Sequence, residues 1–125
     1  MRATTLYAGT FPGTPDQVGR VRRELRAYLT TSLAADDVVL ITSELATNAI
    51  LHSHSNGRSF TVRAEAAPGY VWLEVEDLGG PWLPAQQDGR PHGLEVVAAL
   101  AGDWGVRTTP GGRIVWARVD IEGGR

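Results

Sequence analysis

The segment from Asp37 to His52 is apolar almost all the way round a helix, yet it carries a carboxylate and an amide one turn apart, Glu44 and Asn48. A helix of this kind must be covered on most sides, which requires a sheet or other helices packed over it. Within Ser43-Glu44-Leu45-Ala46-Thr47-Asn48-Ala49, positions i and i+4 share a face, so both side chains are directed at one spot. Burying a carboxylate costs several kcal/mol, on the order of its whole desolvation penalty, unless a partner or ligand compensates. With Asp36 as the cap, Val38, Ile41, Leu45, Ala49 and His52 form one mostly apolar stripe. Leu40 and Leu51 form a second, and Glu44 and Asn48 fall in the gap between them. The pattern is that of a core helix with one strip lining a cavity.

The rest of the chain supplies the cover. Residues 3–11 alternate as a strand. Thr14-Pro15-Asp16-Gln17 reads as a helix start, with a hydroxyl cap, proline at the first helical position and glutamine three after the cap. Val18, Val21, Leu25 and Tyr28 continue at helical spacing, so this helix is expected to run to about Leu33. Its basic face (Arg20, Arg23, Arg26) reads as solvated surface. Beyond Asn56-Gly57, Phe60, Val62 and Ala64 alternate as a strand. Ala67-Pro68-Gly69 turns the chain into a partner strand over 70–77, and Gly79-Gly80-Pro81 stops it. Residues 81–92 form a polar loop. Leu94, Val97, Ala98 and Ala101 then recur at helical spacing, with Gly102 as the stop. Two strands, 104–108 and 113–121, close the chain. These elements predict an α+β two-layer sandwich, a mostly antiparallel mixed sheet with helices on one face, as a single domain over 1–125.

Composition removes several function classes. At 125 residues, 42% hydrophobic and 21% charged, the chain reads as an ordinary globular protein with room for one sizeable core. Cysteine is absent, which excludes disulfides, thiolate nucleophiles and cysteine zinc sites. A net charge of −2 does not fit direct nucleic-acid binding. No apolar run approaches the roughly 18 residues of a membrane span, and no signal-peptide core opens the chain, so a cytoplasmic location is expected. All twelve basic residues are arginine, so arginine or main-chain N–H groups must contact any phosphate.

Three features point to nucleotide chemistry. Glu44 and Asn48 place an amide oxygen beside a carboxylate, a pair able to hold a magnesium ion and orient a nucleophile. Asp77 ends a strand and is followed by Leu78-Gly79-Gly80, so it can accept from an exocyclic amine while glycine lets a flat ring approach the backbone. Gly93, after Arg90 in a loop, opens a helix whose free N–H groups suit phosphate. Each segment has an ordinary alternative: a polar pair on a helix surface, a plain Asp-Gly turn, a solvated loop arginine. His52 and His54 point in different directions on a helix and do not form a metal site. Ser53 lacks a base and acid partner, and the four tryptophans read as core or sheet-face packing, with Trp82 in the loop a candidate partner contact.

The order E-x-x-x-N, D-x-G, a loop ending in H-G-L at a helix start, then G-G-x-x-V-W resembles the GHKL ATP-binding superfamily, which takes in DNA gyrase, heat-shock chaperones, histidine kinases and mismatch-repair ATPases. Ser43 to Ala49 with His52-Ser53 is most similar to the small anti-sigma-factor serine/threonine kinases. The resemblance implies ATP and Mg2+ as cofactors, with Asn48 as the metal ligand and Glu44 as the catalytic base. It assigns Asp77 to the adenine amine and Gly79 to support of the ring. Residues 81–92 would be the lid, and Arg90, His92, Gly93 and Leu94 would lie at the phosphates. It implies phosphorylation of a serine on an anti-anti-sigma partner, sequestration of a sigma factor, and a possible homodimer. At Ile114 the family often has a hydroxyl residue that assists the aspartate, so an isoleucine there predicts either weaker nucleotide binding or a contact met by water instead. Together with the short lid, it leaves open a second reading: a catalytically weak or inactive member of the same fold, acting as a protein–protein binding module.

Overall fold

Residues 4–29, 34–51, 57–79 and 94–121 of the computed structural model are described below. The elements follow the expected order: β1 (Thr4–Pro12), α1 (Gln17–Tyr28), α2 (Ala35–Leu51), β2 (Ser59–Ala67), β3 (Tyr70–Asp77), α3 (Leu94–Leu100), β4 (Asp103–Thr109) and β5 (Gly112–Asp120). The strands form one five-stranded sheet ordered β1-β2-β3-β5-β4, and all four pairings are antiparallel. Pro68-Gly69 makes the two-residue connection between β2 and β3; proline fixes φ near −65° and Gly69 takes φ +86°. The Ile121 N–H donates to the Gly69 carbonyl at 2.9 Å and ties the end of β5 to that turn.

Strand alternation decides which side of the sheet is covered. Val71, Leu73 and Val75 of β3 and Val115, Ala117 and Val119 of β5 are buried on one face. The helices pack there, α2 across β2, β3 and β5, α1 beside α2 and β1, and α3 between α2 and β4. Val38, Ile41, Leu45 and Ala49 of α2 are each at most 1% exposed, so the expected core stripe is present as far as residue 49. Each large apolar side chain buried in this way contributes about 1.5–3 kcal/mol. With a helix layer on one side only, the two-layer α+β reading holds.

The helix ends differ from expectation. α1 begins at Gln17, because Pro15 and Asp16 form a turn in which the Gln17 N–H donates to the Thr14 carbonyl at 2.9 Å. The Thr14 hydroxyl bonds the Asp16 carboxylate rather than capping the helix, and it holds that carboxyl below its usual range. α1 ends at Tyr28, short of Leu33; Leu29 leaves helical geometry (φ −119°) while its side chain stays in the core. Asp36 lies inside the first turn of α2 rather than capping it, paired with Arg26 at 2.9 Å. The basic face of α1 is solvated surface, with Arg20 bonded to Glu24 at 2.7 Å and laid over Phe11. Exposed pairs of this kind contribute little.

On the sheet face turned away from the helices, Trp72 and Trp116 stack at 4.7 Å with planes 9° apart. Gly105 leaves the space that the Trp116 ring fills. Glu74 anchors this face, accepting from Arg63 Nε and Trp72 Nε1, both at 3.0 Å, with Arg107 3.7 Å away. Burial acts to raise the Glu74 carboxyl, but those hydrogen bonds and arginine charges outweigh it and hold it below the usual range. A carboxyl lowered on folding contributes stability above its unfolded pKa, and that contribution is lost as pH falls through the folded value. Denaturation midpoints are therefore expected to drop on acidification from about pH 4.5 downward. Glu74→Gln is expected to cost about 1–2 kcal/mol at neutral pH and to flatten that acid limb. Chemical denaturation of both proteins from pH 3 to 7 checks it; an unchanged acid limb in the variant counts against the assignment.

Candidate functional site

The polar side chains of α2 divide into those satisfied by the helix itself and one that is not. Thr42 donates to the Val38 carbonyl at 2.7 Å, Ser43 to Leu40 at 2.8 Å and Thr47 to Ser43 at 2.8 Å. Asn48 is 6% exposed, and its amide nitrogen Nδ2 is buried with no hydrogen-bond partner. An unsatisfied buried amide costs about 1–3 kcal/mol. Among the described residues the only other buried side-chain atom in this state is Thr109 Oγ1. A half-turn about the last side-chain bond exchanges Nδ2 for Oδ1, so Asn48 can offer a donor to a phosphate oxygen or an oxygen to a cation. That fits a magnesium–nucleotide complex.

Glu44, one turn earlier, is half-buried. It lies on a strip with Leu40 and Leu51, which are 43% and 53% exposed. The second apolar stripe expected from the sequence is therefore not core: Leu40 and Leu51 face outward. Glu44 marks the border between that outer strip and the interior in which Asn48 sits. No cluster of three or more His, Cys, Asp or Glu side chains occurs among the described residues. Mg2+ does not need one, because it is commonly held by one or two protein oxygens together with substrate phosphates.

Asp77 ends β3 on the helix-covered face and is 4% exposed. Its Oδ1 accepts the Gly79 N–H at 2.7 Å, in a turn where Gly79 has φ +75°. Directly across the β3–β5 ladder stands Arg113, whose Nε lies 3.3 Å from Asp77 Oδ2. Burial pushes the Asp77 carboxyl above its usual range, against the opposing pull of the Gly79 N–H and the Arg113 guanidinium. The same register corrects the expectation for Ile114. It pairs with Glu76 and so faces away from the helices, and its missing hydroxyl does not bear on Asp77. Arg113 occupies the position that bears on the carboxylate.

Leu94 opens α3 with its side chain 2% exposed in the core, so any phosphate contact there falls to its main chain. Arg90, His92, Gly93 and the expected lid 81–92 lie outside the described residues, as do His52, Ser53, His54 and Trp82. α2 packs directly on β3, so the helix carrying Glu44 and Asn48 and the strand ending in Asp77 share one layer boundary.

Residues 11–119 match the family described as Histidine kinase-like ATPase domain. The chain belongs to that family. Membership implies ATP binding, and the two-layer fold agrees with it. None of the curated proteins matches the chain by sequence. Among solved structures, the histidine kinase domain of the Erythrobacter litoralis EL346 blue-light activated histidine kinase is similar in fold. Its TM-score is 0.55 at 20% identity, over 99% of this chain and 66% of that one. Acinetobacter baumannii histidine kinase AdeS gives 0.52 at 17% identity, over 98% of this chain and 70% of that one. The chain thus spans 66% of the length of the first of these relatives. No helix among the described residues is long and apolar enough to cross a membrane.

Arg113 is the residue that the motif reading missed. A signal was present: Arg113, Val115, Ala117 and Val119 alternate as one row, and an arginine at the head of an inward apolar row marks a buried cation.

Proposed function

We propose that this chain is an ATP- and Mg2+-dependent serine/threonine kinase that phosphorylates an anti-anti-sigma partner and sequesters a sigma factor, working in the cytoplasm as a homodimer. The partner classes rest on the resemblance of the Ser43–Ala49 segment to the anti-sigma kinases. The nucleotide reading rests on one observation, the buried and unpartnered amide of Asn48. Mg2+, when bound, would neutralise phosphate charge, and Asn48 is the residue that would hold it. Glu44 would accept the proton of the attacking serine hydroxyl at its carboxylate. Asp77 would accept from the exocyclic amine of the adenine. Phosphoryl transfer depends mostly on positioning and charge stabilisation, so a small domain suffices.

Calorimetric titration with ATP, with and without Mg2+, tests this reading. Wild-type protein is expected to bind more tightly with the metal, and Asn48→Ala to lose that gain by about tenfold or more, worth about 1.4 kcal/mol. Thermal stability separates this from a structural role. An amide left unpaired for a ligand can be removed at little cost to the midpoint, whereas a structural amide cannot. Equal Mg2+-dependent affinity in the variant removes Asn48 from the site. Binding intact but no label transferred to a serine-bearing partner would favour the non-catalytic binding module.

A further inference from the structure

We propose that the outward strip of α2, made of Asp37, Leu40, Glu44 and Leu51, is the docking surface for the phospho-acceptor protein, whose serine reaches Glu44 between apolar neighbours of its own. This rests on the kinase reading above and names the face that the acceptor covers.

The helix itself sets the directions. Asp37, Leu40, Glu44 and Leu51 fall within one stripe about 60° wide. Asn48 lies about 40° to one side of Glu44, where the helix is buried, and both leucines lie about 20–40° to the other, in solvent. A nucleotide held by Asn48 therefore approaches Glu44 from within the fold. A protein hydroxyl approaches from the side of the leucines. In the transfer, the serine oxygen bonds the γ-phosphorus, the bond from that phosphorus to ADP breaks, and the hydroxyl proton passes to Glu44.

Exposure is the second support. Among the described residues five large apolar side chains are strongly exposed, and two of them, Leu40 at 43% and Leu51 at 53%, bracket Glu44 on this strip. Glu44 has no hydrogen bond or ion pair among the described residues, whereas Thr42, Ser43 and Thr47 beside it are satisfied by helix carbonyls. Single exposed leucines are ordinary. Here they flank an unpaired carboxylate one turn from the orphaned Asn48 amide, so the body that covers them is the one that brings the hydroxyl.

Spacing and charge describe that body. Leu40 stands about 6 Å from Glu44 along the axis, and Leu51 about 10 Å. In an extended segment the residues two before and two after a serine share its face and lie about 7 Å away. Apolar side chains there meet Leu40 directly and Leu51 across about 3 Å, within a leucine's reach. α2 carries Asp36, Asp37 and Glu44 and no basic residue. Asp36 is taken by Arg26, while Asp37 is exposed and unpaired among the described residues. The acceptor segment is therefore apolar around its serine and basic at the end that lies by Asp37.

The test is steady-state label transfer from ATP to three peptides: Arg-Leu-Ala-Ser-Ala-Leu-Ala, Ala-Leu-Ala-Ser-Ala-Leu-Arg, and the first of these with glutamine for both leucines. Wild type, Leu40→Gln, Leu51→Gln and the double variant are compared, with ATP affinity measured calorimetrically on the same preparations. Both positions are on the surface, so the variants keep the fold. Wild-type protein is expected to use one leucine peptide with a KM about tenfold below that of the glutamine peptide. Each single variant should raise that KM about five- to tenfold, with kcat and ATP affinity unchanged. Equal KM for all three peptides, or a wild-type KM in the double variant, overturns the docking surface and leaves the kinase reading standing. ATP binding with no transfer to any peptide overturns both and favours the binding module. A wild-type dimer that the double variant converts to monomers, read by sedimentation, makes the strip an interface between copies and overturns the acceptor assignment.

Discussion

Glu44→Gln is expected to bind ATP with Mg2+ close to wild-type affinity and to transfer phosphate to a serine-bearing partner about 10²–10⁴-fold more slowly, the usual contribution of a general base. Glutamine keeps the shape and the hydrogen-bonding reach of glutamate but has no basic oxygen to take the hydroxyl proton. Glu44 is half-buried at the border between the exposed Leu40–Leu51 strip and the interior, so the exchange leaves no empty space. It is one helical turn from Asn48, close enough for the two residues to serve one reacting group, yet separate enough that the amide is untouched. Titration calorimetry and transfer of label from ATP, measured on the same preparation, separate binding from chemistry. Label transfer at the wild-type rate would remove Glu44 from the base role.

Legibility in the sequence followed the range of the interaction involved. α2 was readable because a segment apolar on nearly every side has few options, and Val38, Ile41, Leu45 and Ala49 are indeed sealed in the core. The β2–β3 hairpin was readable because Pro68-Gly69 and the alternation around it are local. Leu40 and Leu51 were misplaced because periodicity gives a residue's direction but not what stands opposite; apolar side chains also occupy surface. Thr14 was misread as a cap because its hydroxyl had a competing acceptor two residues on, Asp16. Arg113 escaped because its role depends on pairing across 36 residues, with Asp77. No motif spacing encodes that register.

The largest effect on stability is expected at Gly112. A Cβ there would sit 2.0 Å from the Asp77 carbonyl oxygen and 3.0 Å from the Leu78 carbonyl carbon. Both are backbone atoms of the strand end, so no side chain can swing aside. Gly79 closes the other side of the contact, with φ +75° and its own hypothetical Cβ 3.2 Å from Gly112 Cα. The two glycines let the exit of β3 press against the entry of β5, which is what brings Asp77 opposite Arg113. Gly112→Ala must push the strands apart, at a cost of about 3 kcal/mol or more. Gly79→Ala is expected to cost about 1–2 kcal/mol, mainly for the left-handed backbone. Gly111→Ala, whose Cβ would meet nothing within 4 Å, is the control and should stay within about 0.5 kcal/mol of wild type. Urea denaturation of the three variants gives the order directly. A Gly112→Ala protein as stable as the Gly111→Ala control would mean that β3 and β5 are not apposed at residues 77 and 113.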